Sequence, residues 1–372
     1  MSCEFQSYIQ SLKLVHFRNY LKAELESDGK SVILLGENGV GKTNILEAVS
    51  LLSKGPGMRN VNTDCMQNNI SSVPWLVSYK IVRNDDRLSV DITRKNNRRQ
   101  ISIDGKDGLY GSLHKILRIV WLMPQLDHIL LKAPTERLRF FDRIVNIFDE
   151  NYLLNMVKYE KAKRDRKRIL HECPQNHKWL SSLETVMSNS GVRIAIIRHR
   201  VLETLHSTLS QNENASAFFK FLISFESEVF NLLGNDIETT IQKYSELLHN
   251  NRSIDSCRQC TTFGVHKDNF QILHEGKSLA ASSCSTGEQK VLLLSLLLTA
   301  ATAKHRIDGQ APIMLLDDVM SHLDFKHREE LIEILKRLNC QAWMTDVDTK
   351  NFKQFQDHFQ CFRIAENSIQ KV

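Results

Sequence analysis

The stretch GENGVGKT, Gly36 to Thr43, stands between the apolar run SVILL at Ser31–Leu35 and the helically spaced TNILEAVSLLS that begins at Thr43. It matches the phosphate-loop pattern G-x-x-x-x-G-K-[ST] in the strand-to-helix setting that the pattern needs. Gly36, Gly39 and Gly41 allow the backbone to wrap a phosphate chain, with Glu37, Asn38 and Val40 supplying the intervening amides. Lys42 is placed to neutralise β and γ groups, and Thr43 to give a hydroxyl ligand to Mg²⁺. The expectation is a nucleotide-binding α/β fold.

A strand of the matching type comes much later. PIMLLDD, at 312–318, is an apolar run ending in two carboxylates. Asp317, at the strand end, is expected to reach Mg²⁺ through water. Asp318 is expected to orient or deprotonate the attacking water. An acid-tipped strand is common by itself, and the full phosphate loop gives this one its meaning.

Between these two motifs the pattern changes twice. The segments WLVSYKIV, LSVDIT and ISIDG alternate with turn residues between them, as antiparallel hairpins do. From about Leu131 the segments RLRFFDRIVNIF, NYLLNMVKYEKAKRDRKRIL, WLSSLETVM, VRIAIIRHRVLETLHSTL and FLISFESEVFNLLG follow three- and four-residue apolar spacing, which predicts helices. After about Thr261 strand-like pieces return in TTFGVHKDNFQILHEG, APIMLLDD, QAWMTD and QCFRI. The predicted organisation is an ATPase domain in two halves, residues 1–130 and 261–372, split by a helical insertion at 131–260. The two halves must share one sheet.

Bulk composition is globular, with 42% hydrophobic and 25% charged residues. The N-terminus shows no basic region followed by an apolar core, and the longest apolar run, 291–303, is too short for a bilayer span. A soluble cytoplasmic protein without a membrane partner is expected. Eight cysteines are scattered along the chain, and only CRQC at 257–260 has metal-ligand spacing. A zinc site there would need His249 or His266 to complete it; otherwise these are two thiols in a connecting segment.

Charge is uneven. Residues 131–200 hold 15 Lys/Arg against 8 Asp/Glu, whereas residues 201–260 hold 4 against 8. The densest basic run comprises Lys158, Lys161, Lys163, Arg164, Arg166, Lys167 and Arg168. A second lies in the hairpin turn at Arg94, Lys95, Arg98 and Arg99. Each is a candidate surface for the phosphates of DNA, although a solvated helix face has the same composition.

A second anion-binding turn opens STGEQKVLLLSLLL at Ser285. Ser285-x-x-Glu288 has the form of a capping box, and a capped helix N-terminus is also an anion site. STGEQK resembles the signature loop of ABC-type ATPases. In such enzymes that loop, here Ser285 and Gly287, serves the ATP held by a partner subunit paired head to tail. SHLD, ending at Asp324, follows where these ATPases carry a D-loop, and Gln125 in WLMPQLDHIL stands as a Q-loop glutamine touching Mg²⁺ or water.

With these motifs in order, the chain resembles the RecF family of bacterial DNA repair ATPases, relatives of SMC heads. LKLVHFRNY, GPGMRN, RLRFFDRIV, YEKAKRDRKRIL, GVHKDN and LLDDVMSHLD carry the likeness over nearly the whole length. The resemblance implies an ABC-type head with an antiparallel β subdomain and an inserted helical domain. It also implies ATP-driven homodimerisation on single-stranded and gapped duplex DNA, and the short side chain of Asp318, about one methylene further from the water than Glu, adds the expectation of slow hydrolysis. A role in replication-gap repair and the damage response follows from it, with RecO and RecR helping to load recombinase. Three departures bear on this: Asp318 stands where ABC proteins usually have Glu, Thr345 and Asp346 where transporters have a switch histidine, and GVHKDN differs from the usual Gly-Pro-His-Arg-Asp. The missing histidine, the long span between Gln125 and Ser285 and the basic insertion argue against a transporter subunit. An ATP-gated structural head of a chromosome-maintenance complex is the alternative.

Overall fold

The computed structural model describes residues 7–84, 86–95, 98–108, 110–212, 216–234, 236–275, 279–347, 358–366 and 368–372. Asn96 and Asn97, at the tip of the second basic turn, lie outside them. The chain divides into two compact units, residues 1–127 with 293–372, and residues 128–292.

The first unit holds two six-stranded sheets. In one, β1 (Ser7–Phe17) pairs antiparallel with β2 (Tyr20–Glu26) and with β4 (Leu76–Arg83). Then β5 (Asp86–Lys95), β6 (Arg98–Ile103) and β7 (Lys106–Gly108) continue the antiparallel order. Alternation along β1 sends Leu12 and Leu14 inward while Lys13 and Val15 stay half-buried, and a register shift between Ile9 and Ser11 puts Ile9 inward as well. The other sheet runs β15-β14-β3-β13-β12-β8. Its strands are β3 (Ser31–Leu35), β8 (Ile119–Leu122), β12 (Ile313–Leu316), β13 (Ala342–Asp346), β14 (Phe359–Ala365) and β15 (Ser368–Lys371). All its pairs are parallel except β14 with β15. Every residue of β3, β12 and β13 is buried, as central parallel strands covered on both faces must be. Helix α1 (Lys42–Ser50) packs into the core that joins the two sheets, through Ile45, Leu46, Ala48 and Val49. The short α2 (Tyr110–Ile116) leads into β8.

The second unit is built on α3 (Pro134–Val145), α4 (Tyr152–Glu172) and α5 (His177–Asn212), with α7 (Ile237–Asn250) and α8 (Arg252–Arg258). The buried side of α5 steps by threes and fours through Leu180, Glu184, Met187, Gly191, Ile194, Arg198, Val201 and Leu205.

Two expectations fail here. FLISFESEVFNLLG is not one helix. Its first part is β9 (Phe221–Glu226), followed by the short α6 (Glu228–Asn231). Phe221 and Ile223 are buried with Leu222 exposed, and the strand pairs with β10 (Asn269–His274), which pairs in turn with β11 (Leu279–Ala280). That pairing also moves the boundary. Residues 261–292, expected in the second half of the ATPase domain, belong to the inserted unit because β10 needs β9. The division falls inside α9 (Thr286–Asp308), not near residue 260. Helix α10 (Phe325–Arg337) lies between β12 and β13 in sequence. No helix among the described residues is long and apolar enough to cross a membrane.

Candidate nucleotide site

The parallel sheet brings its chemistry to one edge. The phosphate loop follows β3, Asp317 and Asp318 follow β12, Thr345 and Asp346 end β13, and Gln125 follows β8. This is the carboxyl edge of an open α/β sheet, where such folds bind ligands. A cavity there of about 340 Å³ is lined by Asn38, Gly39, Lys42, Thr43, Asp317 and Asp318, with Arg59, Pro124, Thr345 and Asp346.

Local sequence shapes the loop. Gly41 has φ 109°, and a Cβ there would stand 2.5 Å from Asn19 Nδ2 and 2.8 Å from Tyr20 Oη, so only glycine fits. Asn19 in turn donates to Val40 O at 3.2 Å and accepts from Asn44 Nδ2 at 2.7 Å. Arg59 donates to Asn44 Oδ1 at 2.8 Å and to the buried Glu47 at 3.0 Å, while Arg18 holds the same Glu47 through two nitrogens. A polar clamp therefore fixes α1 and the loop that precedes it. No local motif marks Asn19, Asn44, Glu47 and Arg59 as site residues, although LKLVHFRNY and GPGMRN contain three pieces of this clamp.

Lys42 Nζ donates to Gly36 O at 2.6 Å and Glu37 O at 2.8 Å. Burial pulls its pKa below the usual lysine value, against the opposing pull of Asp317, Asp318 and Asp346. Thr43 Oγ1 lies 3.1 and 3.0 Å from the two carboxylate oxygens of Asp317. Burial holds the Asp317 carboxyl above the ordinary carboxylate range, while hydrogen bonds from Thr345 and Thr43 oppose it. Asp318 has φ 51°, uncommon for a residue with a Cβ, and Ser321 Oγ reaches its Oδ1 at 2.8 Å. Gln125 sits in a single 3₁₀ turn after Pro124 and is exposed. Its neighbour Pro124 lines the cavity.

Ser285 and Glu288 form the capping box. Ser285 N and Oγ each donate to Glu288 Oε2 at 2.9 Å at the exposed start of α9, with Gly287 exposed beside them. Asp324 caps α10 by accepting from His327 N at 2.8 Å.

These relationships are those of a phosphate-loop nucleotide site, and comparison with known proteins gives the family. The RecF/RecN/SMC N-terminal domain model matches residues 8–370. The DNA replication and repair protein RecF of Rickettsia bellii (strain OSU 85-389) is 33% identical over 360 residues, covering 96% of this chain and 99% of the relative. The chain belongs to the RecF family. RecF of Rickettsia prowazekii (strain Madrid E) is likewise 33% identical over 362 residues, covering 96% and 99%. Among solved structures, a recombination mediator protein RecF with ATPrS in the RecFOR pathway superposes with a TM-score of 0.86 at 23% identity, covering 99% of each chain. An SMC head from Pyrococcus furiosus gives 0.56 at 15% identity, covering 98% of this chain and 96% of that one. The RecF fold class is therefore the one expected: a mixed α/β head with an antiparallel sheet and helices.

The basic candidates separate. Lys158, Lys161, Arg164, Lys167 and Arg168 are exposed and Lys163 is half-buried. Arg166 is a correction: it is fully buried, bonded to Glu184 at 2.9 Å, Asp255 at 2.6 Å and Leu248 O at 2.6 Å, and cannot touch DNA. In the hairpin turn Lys95 and Arg98 are exposed, Arg94 pairs with Asp64 at 2.7 Å, and Arg99 donates to Gly55 O.

Two side chains of GVHKDN hydrogen-bond within the second unit. His266 Nε2 donates to Thr261 O at 2.9 Å, which leaves Nδ1 to accept from Tyr159 at 2.8 Å. Asp268 accepts from the buried Arg198 at 2.7 Å. Cys257 and Cys260 are exposed free thiols, and no group of three possible metal ligands occurs among the described residues.

Proposed function

We propose that this chain is an ATP-dependent DNA-binding switch of recombinational repair and replication-gap processing. The observation that carries the reading is the meeting of Thr43 and Asp317 beneath a loop that holds Lys42. RecF structures described with ATP and ATPrS in the RecFOR pathway support ATP as the nucleotide, with RecO and RecR as partners.

The residues also suit Mg²⁺. A threonine hydroxyl and a carboxylate in contact, with Asp318 and Asp346 lining the same cavity, form a hard all-oxygen donor set. Thr43 and Asp317 would hold the ion, with Gln125 as a further candidate. When bound, Mg²⁺ neutralises charge on the β and γ phosphates. Lys42 binds phosphate, the loop amides of residues 36–43 orient it, and Asp318 orients water. The shorter Asp318 carboxylate, in place of Glu, suits slow turnover and use of ATP as a switch.

In this reading Ser285, Gly287 and Asp324 serve the nucleotide of a second copy, so ATP joins two heads on DNA. The exposed basic residues of α4 and of the β5–β6 turn contact phosphates of single-stranded or gapped duplex DNA, in the cytoplasm. Sedimentation with and without ATP and a gapped duplex tests it. The expected result is a monomer without ATP and a DNA-bound dimer with it. A species unchanged by ATP would end the reading.

A further inference from the structure

The missing switch histidine leaves a question about what β13 contributes to the site. Thr345, its fourth residue, is 2% exposed and stands beside β12 in the sheet. Its hydroxyl donates to Asp317 Oδ1 at 2.8 Å. The same oxygen accepts from the backbone N–H of Asp318 at 2.8 Å. One hydroxyl thus uses its donor on the first carboxylate and an acceptor lone pair on the amide of the second.

The amide that it catches belongs to a strained residue. Asp318 has φ 51°, a left-handed conformation that an aspartate holds only when its surroundings impose it. On the other side of the turn, Ser321 Oγ donates to Asp318 Oδ1 at 2.8 Å and lies 3.1 Å from Asp318 O. Thr345 is the tie from the neighbouring strand. Because it is part of β13, paired to β3 through Thr345 and Leu34, it also fixes the acidic turn against the strand that leads into the phosphate loop.

We propose that Thr345 is a positioning residue for ATP hydrolysis: its hydroxyl sets the direction of the Asp317 carboxylate and holds the Asp318 backbone in the conformation that aims the second carboxylate. The inference rests on the proposed ATPase reading and deepens it. Thr345 need not touch nucleotide. Its removal acts through Asp317 and Asp318, so it lowers turnover more than ATP binding.

The test compares Thr345→Val, which keeps the branched shape and loses the hydroxyl, with Thr345→Ser, which keeps the hydroxyl. Single-turnover hydrolysis, binding of a fluorescent ATP analogue and the urea midpoint are measured on the full chain. Thr345→Val should lower the hydrolysis rate by about tenfold or more while analogue affinity changes by less than about threefold. Thr345→Ser should recover most of the rate. Should Thr345→Val fail to fold, Thr345→Ala against Thr345→Ser makes the same comparison. A Val or Ala variant that hydrolyses like wild type overturns the inference and leaves the ATPase reading standing. So does a loss that Ser does not recover, or one shared equally by binding. A wild-type chain that binds no ATP overturns the ATPase reading and the inference with it.

Discussion

Thr43 Oγ1 contacts both carboxylate oxygens of Asp317, at 3.1 and 3.0 Å, although 274 residues separate them. That contact exists because β3 and β12 flank β13 in one parallel sheet, which places both strand ends at the same edge. Lys42 belongs to the same edge, so its removal is the first test. Lys42→Ala should weaken ATP binding by roughly ten- to a hundredfold, since a charge-assisted bond to phosphate contributes about 1.5–3 kcal/mol. Titration with a fluorescent ATP analogue measures it, alongside a thermal melt to establish that the loop survives loss of the bonds to Gly36 and Glu37. Unchanged affinity in a folded variant would remove the nucleotide assignment.

Asp318→Asn separates binding from turnover. The substitution keeps the size of the side chain and one oxygen for Ser321, but it removes the charge that orients water. ATP binding should persist, hydrolysis should fall by about two orders of magnitude or more, and the ATP-paired form should accumulate in sedimentation. Normal turnover would place water activation on another group.

Burial lowers the His266 pKa to about 4, with Lys163 pushing the same way. A depressed folded-state value means that the unfolded chain binds the proton more tightly. The resulting stabilisation is fully present above the unfolded value of about 6.5 and is lost as pH falls through about 4. Asp268, raised to about 6 by burial, has the opposite sign in part of the same range. The comparison that isolates His266 is therefore wild type minus His266→Gln. Urea unfolding should show this difference growing by about 3 kcal/mol from pH 4 to 7. A difference flat in pH would mean that His266 is not held neutral.

Arg166 and its basic neighbours should part company on substitution. Arg166→Met leaves Glu184 and Asp255 as buried carboxylates without this partner, so stability should fall by about 3–5 kcal/mol. The triple charge reversal Lys158→Glu, Lys161→Glu and Lys167→Glu lies on the exposed face of α4. Its effect on stability should be small, and DNA affinity should fall together with the slope of log K against log salt. Intact affinity and slope would move the DNA surface off α4.

The same pair of cases shows what the sequence could disclose. The phosphate loop was legible because its chemistry is local: eight consecutive residues state the turn, the lysine and the hydroxyl. Composition alone misplaces Arg166, which is one of seven basic residues in its run. Yet its position was visible in the pattern, since Tyr152, Asn155, Tyr159, Ala162, Arg166 and Ile169 form the buried stripe of α4 at helical spacing. A basic residue on an apolar stripe signals a buried ion pair. The strand β9 was hidden for a different reason. Leu222, Phe225 and Val229 satisfy a helical period while Phe221, Ile223 and Phe225 satisfy a strand period, and only pairing with β10 decides between them. Thr345 was noted for the histidine it replaces; its tie to Asp317 and Asp318 depends on strand neighbours far apart in the chain.

Ser285 provides the sharpest test of pairing. Its hydroxyl and amide meet Glu288 at the exposed start of a 23-residue helix, so the capping role and an anion-binding role share the same groups. Ser285→Arg should leave monomers able to bind ATP through residues 36–43 and should block pairing, because a bulky cation takes the phosphate seat offered to the second copy. Losing the cap should cost about 1 kcal/mol in stability, which a melt can separate from the pairing defect. Mixing this variant with Lys42→Ala then asks whose nucleotide the turn serves. A mixed pair has one site with a sound phosphate loop from the Ser285→Arg chain and a sound Ser285 turn from the Lys42→Ala chain; its other site carries both defects. ATP-dependent pairing should therefore return in part, read by sedimentation or by energy transfer between labelled chains. If Ser285→Arg instead weakens ATP binding in dilute monomer, and mixing restores nothing, the turn acts within its own chain and the head-to-tail dimer loses its main support.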